Sequence, residues 1–330
     1  MRAVVCNALE GPSALAVEER PSRPPGPGEV RLALKACGLN YPDLLMVSGG
    51  YQLKPTLPFI PGMEAAGRIL EVGPGVEGWA AGERVIITGP AHPIGLFAEE
   101  VTADASYLTR MPDSLSDAEA AGYVATYATS YHALVDRAAL RPGEFLLVHG
   151  AAGGVGTAAV QLGKALGARV IATGGDDAKL AVVRELGADA VVNYRTEDVR
   201  ERVKALTGGA GVEVVYDPVG GDMFEASMRC VAPEGRILVI GATSGTYAPA
   251  KTNHVLVKEV SVIGVLHGNW RIRHPDLFEK NMQALAGMVA SGGIRPHVGR
   301  IYPLERAAEA MTALANREIV GKCVLTTERT

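Results

Sequence analysis

Residues 145–163 read Phe-Leu-Leu-Val-His-Gly-Ala-Ala-Gly-Gly-Val-Gly-Thr-Ala-Ala-Val-Gln-Leu-Gly, an apolar strand running into a glycine turn and then a helix of small residues. This spacing suits phosphate. Gly150 lets the chain leave the strand in a tight turn, and backbone around Ala152, Gly153, Gly154 and Val155 is free to approach a pyrophosphate. Gly156 lets the helix lie against the sheet, with the positive end of the helix toward the anion. A glycine pattern alone is weak, so the flanks decide: a strand precedes it, residues 158–167 continue as helix, and 168–173 read as the next parallel strand. The same uncharged stretch could be taken for a membrane span, but glycines and a histidine interrupt it and no second such segment occurs.

A strand that binds an unphosphorylated ribose normally ends in Asp or Glu. The second strand here ends Ile171-Ala172-Thr173-Gly174-Gly175, with Lys179 on the next helix and Asn193-Tyr194-Arg195 after the third strand. Gly174, Lys179 and Tyr194 are therefore expected around a 2′-phosphate, which favours NADPH. Asp176 and Asp177 argue the other way, and Lys179 is equally at home as a solvated helix lysine. Asp217-Pro218-Val219-Gly220-Gly221 ends the fourth strand, and Gly241, followed by Ala242, ends the fifth. Asp217, Val219, Gly241 and Ala242 are expected to touch the ribose or nicotinamide from the same sheet edge.

The elements that position these groups fall into two blocks. The first 110 or so residues carry short β-like runs, such as 29–35 and 84–87, between Pro- and Gly-rich stretches, and predict a β-rich, barrel-like domain. From about Thr126, helices alternate with buried strands at 145–148, 169–173, 190–192, 212–217 and 236–240, predicting a parallel sheet. A final strand around Gly321–Leu325 is expected to rejoin the first block. The cleft between the two domains is the default ligand site.

The chain has 330 residues, 48% of them apolar, and a net charge of −4 from interspersed signs. That balance favours neither a nucleic-acid groove nor a basic membrane face. The first ten residues look like a strand rather than a signal peptide, so a cytoplasmic location is expected. The four cysteines lie far apart, with no metal-ligand or disulfide spacing. None of the seven histidines, His92 included, is at ligand spacing.

The ordered set Ala36-Cys37-Gly38-Leu39-Asn40-Tyr41-Pro42-Asp43, Pro61-Gly62-Met63-Glu64-Ala65-Ala66-Gly67 and Ala151-Ala152-Gly153-Gly154-Val155-Gly156 resembles the medium-chain dehydrogenase/reductase superfamily. Within it, the chain is similar to the zinc-independent quinone oxidoreductases, the group of zeta-crystallin. The resemblance implies an α/β protein: a GroES-like β-barrel catalytic domain (1–123 and 265–330) and a Rossmann doubly wound parallel sheet that binds NADP (124–264). Where zinc alcohol dehydrogenases of this superfamily hold their metal, the matching positions are Asn40, Met63 and Glu64, and residues 123–126 offer neither Cys nor Asp. Such a set does not make a tetrahedral zinc site, so no metal is expected.

The resemblance also places Asn40 and Asp43 at the former metal position, where they could hydrogen-bond a substrate oxygen. The residues themselves read equally well as a helix N-cap with Pro and Asp in the first turn and Gly49 as the stop. Tyr51 matches a cleft tyrosine able to donate a proton, or is a packing residue of its loop. Thr129 matches a threonine beside the nicotinamide, or is a second N-cap. Arg317 resembles an arginine near the NADPH phosphates, or is a surface arginine. The implied activity is hydride transfer from NADPH to quinones or α,β-unsaturated carbonyls. A 2-enoyl-thioester reductase, with Arg271 and Arg273 as the nearby basic cluster, and a non-catalytic NADPH-binding module are the alternatives. A homodimer is expected through edge pairing of strand 261–265.

Overall fold

The computed structural model describes residues 1–89 and 94–328; His92 lies outside them. In chain order the strands are β1 (Arg2–Cys6), β2 (Leu15–Glu19), β3 (Glu29–Leu39), β4 (Glu64–Val72), β5 (Arg84–Thr88), β6 (Glu100–Asp104), β7 (Leu108–Arg110), β8 (Phe145–Val148), β9 (Arg169–Gly174), β10 (Ala190–Asn193), β11 (Val212–Asp217), β12 (Val231–Val239), β13 (Ser261–Gly264), β14 (Val298–Pro303) and β15 (Lys322–Thr326). The helices used below are α1 (Tyr41–Val47), α2 (Thr129–Tyr131), α3 (Gly154–Ala165), α4 (Asp177–Glu185), α5 (Asp222–Cys230), α6 (Thr252–Lys258), α7 (His267–Arg273) and α8 (Pro275–Ala290).

Two compact units are present, Met1–Ala125 with Pro296–Thr330, and Thr126–Arg295. The first holds a seven-stranded sheet in the order β14-β15-β3-β4-β5-β7, with β6 also on β3, and a separate β1–β2 hairpin. Its core comes from the alternating inward residues of β3 (Val30, Leu32, Leu34), joined by Ile69, Val85, Ile87 and Phe97. Burying such side chains is worth about 1.5–3 kcal/mol each. The terminal strand β15 pairs antiparallel with β3, Cys323 opposite Leu39, and β3 pairs with β4, Gly38 opposite Glu64.

The second unit is a six-stranded parallel sheet in the order β10-β9-β8-β11-β12-β13. Strand order reverses between β8 and β11, the switch point where a dinucleotide binds outside the carboxyl ends. The stretch 265–295, expected with the first block, packs instead in this unit. Polar ties account for the difference: Asn281 Nδ2 donates to Asp136 Oδ2 at 2.7 Å, Arg295 N–H to Gln161 Oε1 at 2.7 Å, and Tyr127 Oη–H to the Arg295 carbonyl at 3.0 Å. The stretch read above as a conceivable membrane span is a strand, a turn and the twelve-residue α3. Among the described residues no helix is long and apolar enough to cross a membrane.

Candidate functional site

In the second unit, α3 starts on Gly153 with no side-chain cap and no acidic residue in its first turn. Its first N–H groups have no helical acceptor and suit an anion. Gly150 holds φ +55°, and a Cβ on Gly156 would press on the Gly150 carbonyl and lie 2.7 Å from Ala151 Cα. That backbone-to-backbone approach explains the glycine, and the turn fits a pyrophosphate. At the end of β9, a Cβ on Gly175 would meet the Tyr194 ring at 2.7 Å, so Tyr194 lies on the strand end beside Gly174. Both acids that argued against a 2′-phosphate are engaged. Asp176 caps α4 by accepting the Lys179 N–H at 3.0 Å, and Asp177 Oδ1 accepts Asn193 Nδ2–H at 2.7 Å. Tyr194 and Arg195 are exposed and the Lys179 side chain is half-buried at this edge.

Buried Asp217 shapes the next loop, its Oδ1 accepting the Val219 and Gly220 N–H groups at 2.8 and 2.9 Å. The loop after β12 is tied to it: Thr243 N–H donates to the Pro218 carbonyl and Ser244 N–H to that of Val219, both at 3.0 Å. Val219, Gly241 and Ala242 thus form one edge. Thr129 is not an N-cap. It opens α2 inside a continuous helical run between two π-helical turns, Val124–Ala128 and His132–Arg137, and the residue before it is already helical. Its neighbour Ser130, which sequence reasoning missed, bonds both the Val155 carbonyl at 3.2 Å and the Tyr216 hydroxyl at 2.9 Å, fastening this helix to the glycine loop.

Buried His149 bonds Thr173 Oγ1 at 2.9 Å and Ser227 Oγ at 3.0 Å. Because the Ser227 hydroxyl donates to the Met223 carbonyl, it accepts from Nε2–H, and Nδ1 accepts from Thr173. Burial holds this imidazole below its ordinary pKa, so it is a neutral tie between β8, β9 and α5.

In the first unit, Asn40 is the N-cap residue of α1, with Asp43 Oδ2 accepting its backbone N–H at 2.9 Å and Gly49, φ +70°, just past the end. The Asn40 amide does more. Its Oδ1 accepts from Lys322 Nζ at 2.8 Å, and its Nδ2 donates to the Gly38 carbonyl at 3.3 Å. Lys322, 4% exposed, also donates to the Leu39 carbonyl at 2.8 Å and lies 3.5 Å from Glu64 Oε2, which is fully buried. The other Glu64 oxygen accepts the Ala125 N–H at 2.7 Å. An ammonium donates only, so it fixes which way the Asn40 amide faces. Burial pushes the Asp43 carboxyl up to about 7 against the pull of the Asn40 N–H and Lys322, and burial likewise raises Glu64.

This donor set does not fit the zinc that a dehydrogenase of this architecture would imply. Both oxygens of Glu64 are engaged, Asn40 and Met63 are poor zinc ligands, and a buried ammonium already sits among them. Tyr51 lies in the loop after α1, half-buried, with its N–H on the Leu45 carbonyl. Arg317 is exposed, in a left-handed conformation (φ +57°), in the first unit. The structure thus groups Asn40 and Asp43 with Glu64, already matched to the same position, while Lys322 joins them unforeseen. The signal for Lys322 was available: a lysine beside the apolar run Cys323-Val324-Leu325 needs a buried partner.

A family description of zinc-binding dehydrogenases matches residues 154–287, and one of the alcohol dehydrogenase GroES-like domain matches residues 26–113. Quinone oxidoreductase-like protein 2 of Bos taurus is 38% identical over 325 residues, spanning 98% of this chain and 92% of the relative. The 2-haloacrylate reductase of a Burkholderia species is 33% identical, with 98% of each chain aligned. The crystal structure of Escherichia coli quinone oxidoreductase complexed with NADPH superposes with a TM-score of 0.91 at 32% identity, over 99% of this chain and all of the other.

Proposed function

The chain belongs to the medium-chain dehydrogenase/reductase superfamily, and from that premise we propose that it is a zinc-independent, cytoplasmic NADPH:quinone oxidoreductase that also accepts related α,β-unsaturated carbonyls. NADPH is the cofactor: the glycine turn fits its pyrophosphate, and the β9 end offers a 2′-phosphate Tyr194 and Arg195, with Asp176 and Asp177 each hydrogen-bonded within the protein. When bound, it supplies the hydride. The observation that carries the reading is Lys322, whose ammonium stands between Asn40 and Glu64 where zinc-dependent relatives place a metal. Without a Lewis acid to stabilise an alkoxide, the favoured direction is delivery of hydride to an acceptor already short of electrons.

The chain's own residues then have separate tasks. Lys322 holds the Asn40 carbonyl, leaving the second Nδ2–H as donor to the substrate oxygen as negative charge grows there. Asp43 fixes the Asn40 backbone, and Tyr51 donates the proton that completes the quinol or saturated carbonyl. Thr129, the 217–220 turn and the 241–242 edge hold the nicotinamide half, and Arg317 contributes to phosphate binding. The resemblance to a 2-haloacrylate reductase, named for an unsaturated substrate, supports including activated alkenes.

We assign the same protein as a homodimer, since β13 is a sheet edge and exposed apolar side chains, Leu256 and Val257 on α6 and Val262 on β13, lie on or just before it. The test of function is oxidation of NADPH, followed by its absorbance without added metal, with 1,4-benzoquinone, 9,10-phenanthrenequinone, a short 2-alkenal and crotonyl-CoA, and with NADH alongside. Quinone turnover is the expected result. A preference for crotonyl-CoA assigns the chain to the thioester reductases, and silence across the panel to a binding module.

A further inference from the structure

A cavity of about 380 Å³ opens in the second unit at the carboxyl ends of β12 and β13, between Ile240–Gly241 and Val265–Leu266. Strand order puts these two strands in the half of the sheet opposite the glycine loop, the half that takes the nicotinamide mononucleotide. One wall is aromatic. Trp270 stacks on His132 at 3.9 Å between centroids, and His267 packs against both. Burial pushes the His267 imidazole behind this wall down to about 3, so that ring is uncharged around pH 7.

Two arginines, Arg137 and Arg273, also line the cavity. Both are exposed, and neither has an ion pair or side-chain hydrogen bond among the described residues. Asp136, the chain neighbour of Arg137, is committed elsewhere: its Oδ2 is held by His132 Nδ1 at 2.8 Å and by Asn281 Nδ2 at 2.7 Å. Arg271, paired above with Arg273 as a possible basic cluster, is buried with its guanidinium over the Phe278 ring at 5.5 Å and is not among the lining residues. The basic pair that faces the cavity is therefore Arg137 with Arg273, contributed by the helical run after α2 and by α7.

An apolar and aromatic wall facing two uncompensated guanidiniums, beside the nicotinamide half, suits a ligand with a planar unsaturated body and a carboxylate. We propose that this cavity is the anion subsite of the substrate, so that the preferred acceptors are quinones or activated alkenes bearing a carboxylate rather than neutral ones. This rests on the NADPH-dependent reductase reading above and names its substrate class. Hydride goes to the electron-poor carbon, a proton to the oxygen or neighbouring carbon, and the carboxylate stays unchanged against the arginines.

The test uses two trimethyl-1,4-benzoquinones of equal redox character, one with a 3-carboxypropyl arm and the other with its methyl ester, each assayed by NADPH oxidation. The acid is expected to exceed the ester in kcat/KM by about tenfold or more, as for a charge-assisted hydrogen bond. Arg137→Ala and Arg273→Ala should each lower that acid-to-ester ratio by about tenfold, and Arg273→Lys by less. If both quinones are reduced with a ratio near one that neither variant changes, the anion subsite is wrong while quinone reduction stands. If neither quinone is reduced, the reductase reading fails, and calorimetric titration of the NADP⁺-loaded protein decides the subsite separately. Tighter binding of the acid that the double Ala variant abolishes supports it, and equal binding of acid and ester overturns it.

Discussion

Replacing Lys322 with Met tests the buried cluster directly. In the native chain its ammonium serves three acceptors, the Leu39 carbonyl, Asn40 Oδ1 and Glu64 Oε2, and both it and Glu64 are more than nine-tenths buried. Lys322→Met keeps the length and apolar stem of the side chain but leaves Glu64 with the Ala125 N–H and no cation. Removing one partner of a buried pair costs about 3–5 kcal/mol, because the remaining charge is uncompensated. For a unit of this size that is a fall of about 10 °C in its melting temperature. Calorimetry and urea unfolding followed by circular dichroism would read it. The double variant Glu64→Gln/Lys322→Met removes both charges and should recover most of the loss, the signature of coupling rather than lost packing. A loss below about 1 kcal/mol in the single variant, typical of exposed ion pairs, would refute the argument that Lys322 neutralises a dry site and with it the reason for excluding zinc there.

The remaining predictions concern protons, the glycine turn, the phenol and assembly. Asp43 titrates near 7 in the fold against an ordinary 3.8, so its contribution to stability is full below about pH 4 and is lost as pH rises through 7, by up to roughly 4 kcal/mol. Unfolding free energies at pH 5, 6 and 7 should therefore fall more steeply in the native protein than in Asp43→Asn, and parallel curves would contradict the assignment. Gly156→Val sets side-chain atoms against the Gly150–Ala151 backbone and should weaken NADPH binding, followed by nicotinamide fluorescence, about tenfold or more. Tyr51→Phe should lower kcat by about a hundredfold with little change in KM; unchanged turnover removes Tyr51 from the chemistry. Light scattering should give a dimer, and Val262→Lys, which places a charge on the β13 edge, should give a monomer.

Why the glycine turn was readable and the lysine was not follows from how far each signal travels along the chain. The features that mark the turn, Gly150 at φ +55° and Gly156 against the Gly150–Ala151 backbone, lie close together in the chain, where strand, turn and helix follow one another. The fold class was legible for the same cause: the Rossmann-like strands recur at short intervals, each a compact apolar run. Lys322 is 258 positions from Glu64 and 282 from Asn40, so no local pattern joins them. Only the register does. β15 sets Cys323 opposite Leu39, which brings its neighbour Lys322 to the Asn40 end of β3, and β4 sets Glu64 opposite Gly38 on the other side. The sequence reading expected no metal at this position and did not anticipate Lys322 beside Asn40 and Glu64. Stretch 265–295 was misassigned for a related reason. Its prolines and paired glycines broke the strand–helix alternation, while the bonds that hold it, from Asn281 to Asp136 and from Arg295 to Gln161, are made by polar side chains that periodicity does not report. Buried polar groups must be paired, so where a strand or helix carries one without a local partner, the search belongs to tertiary register rather than to spacing.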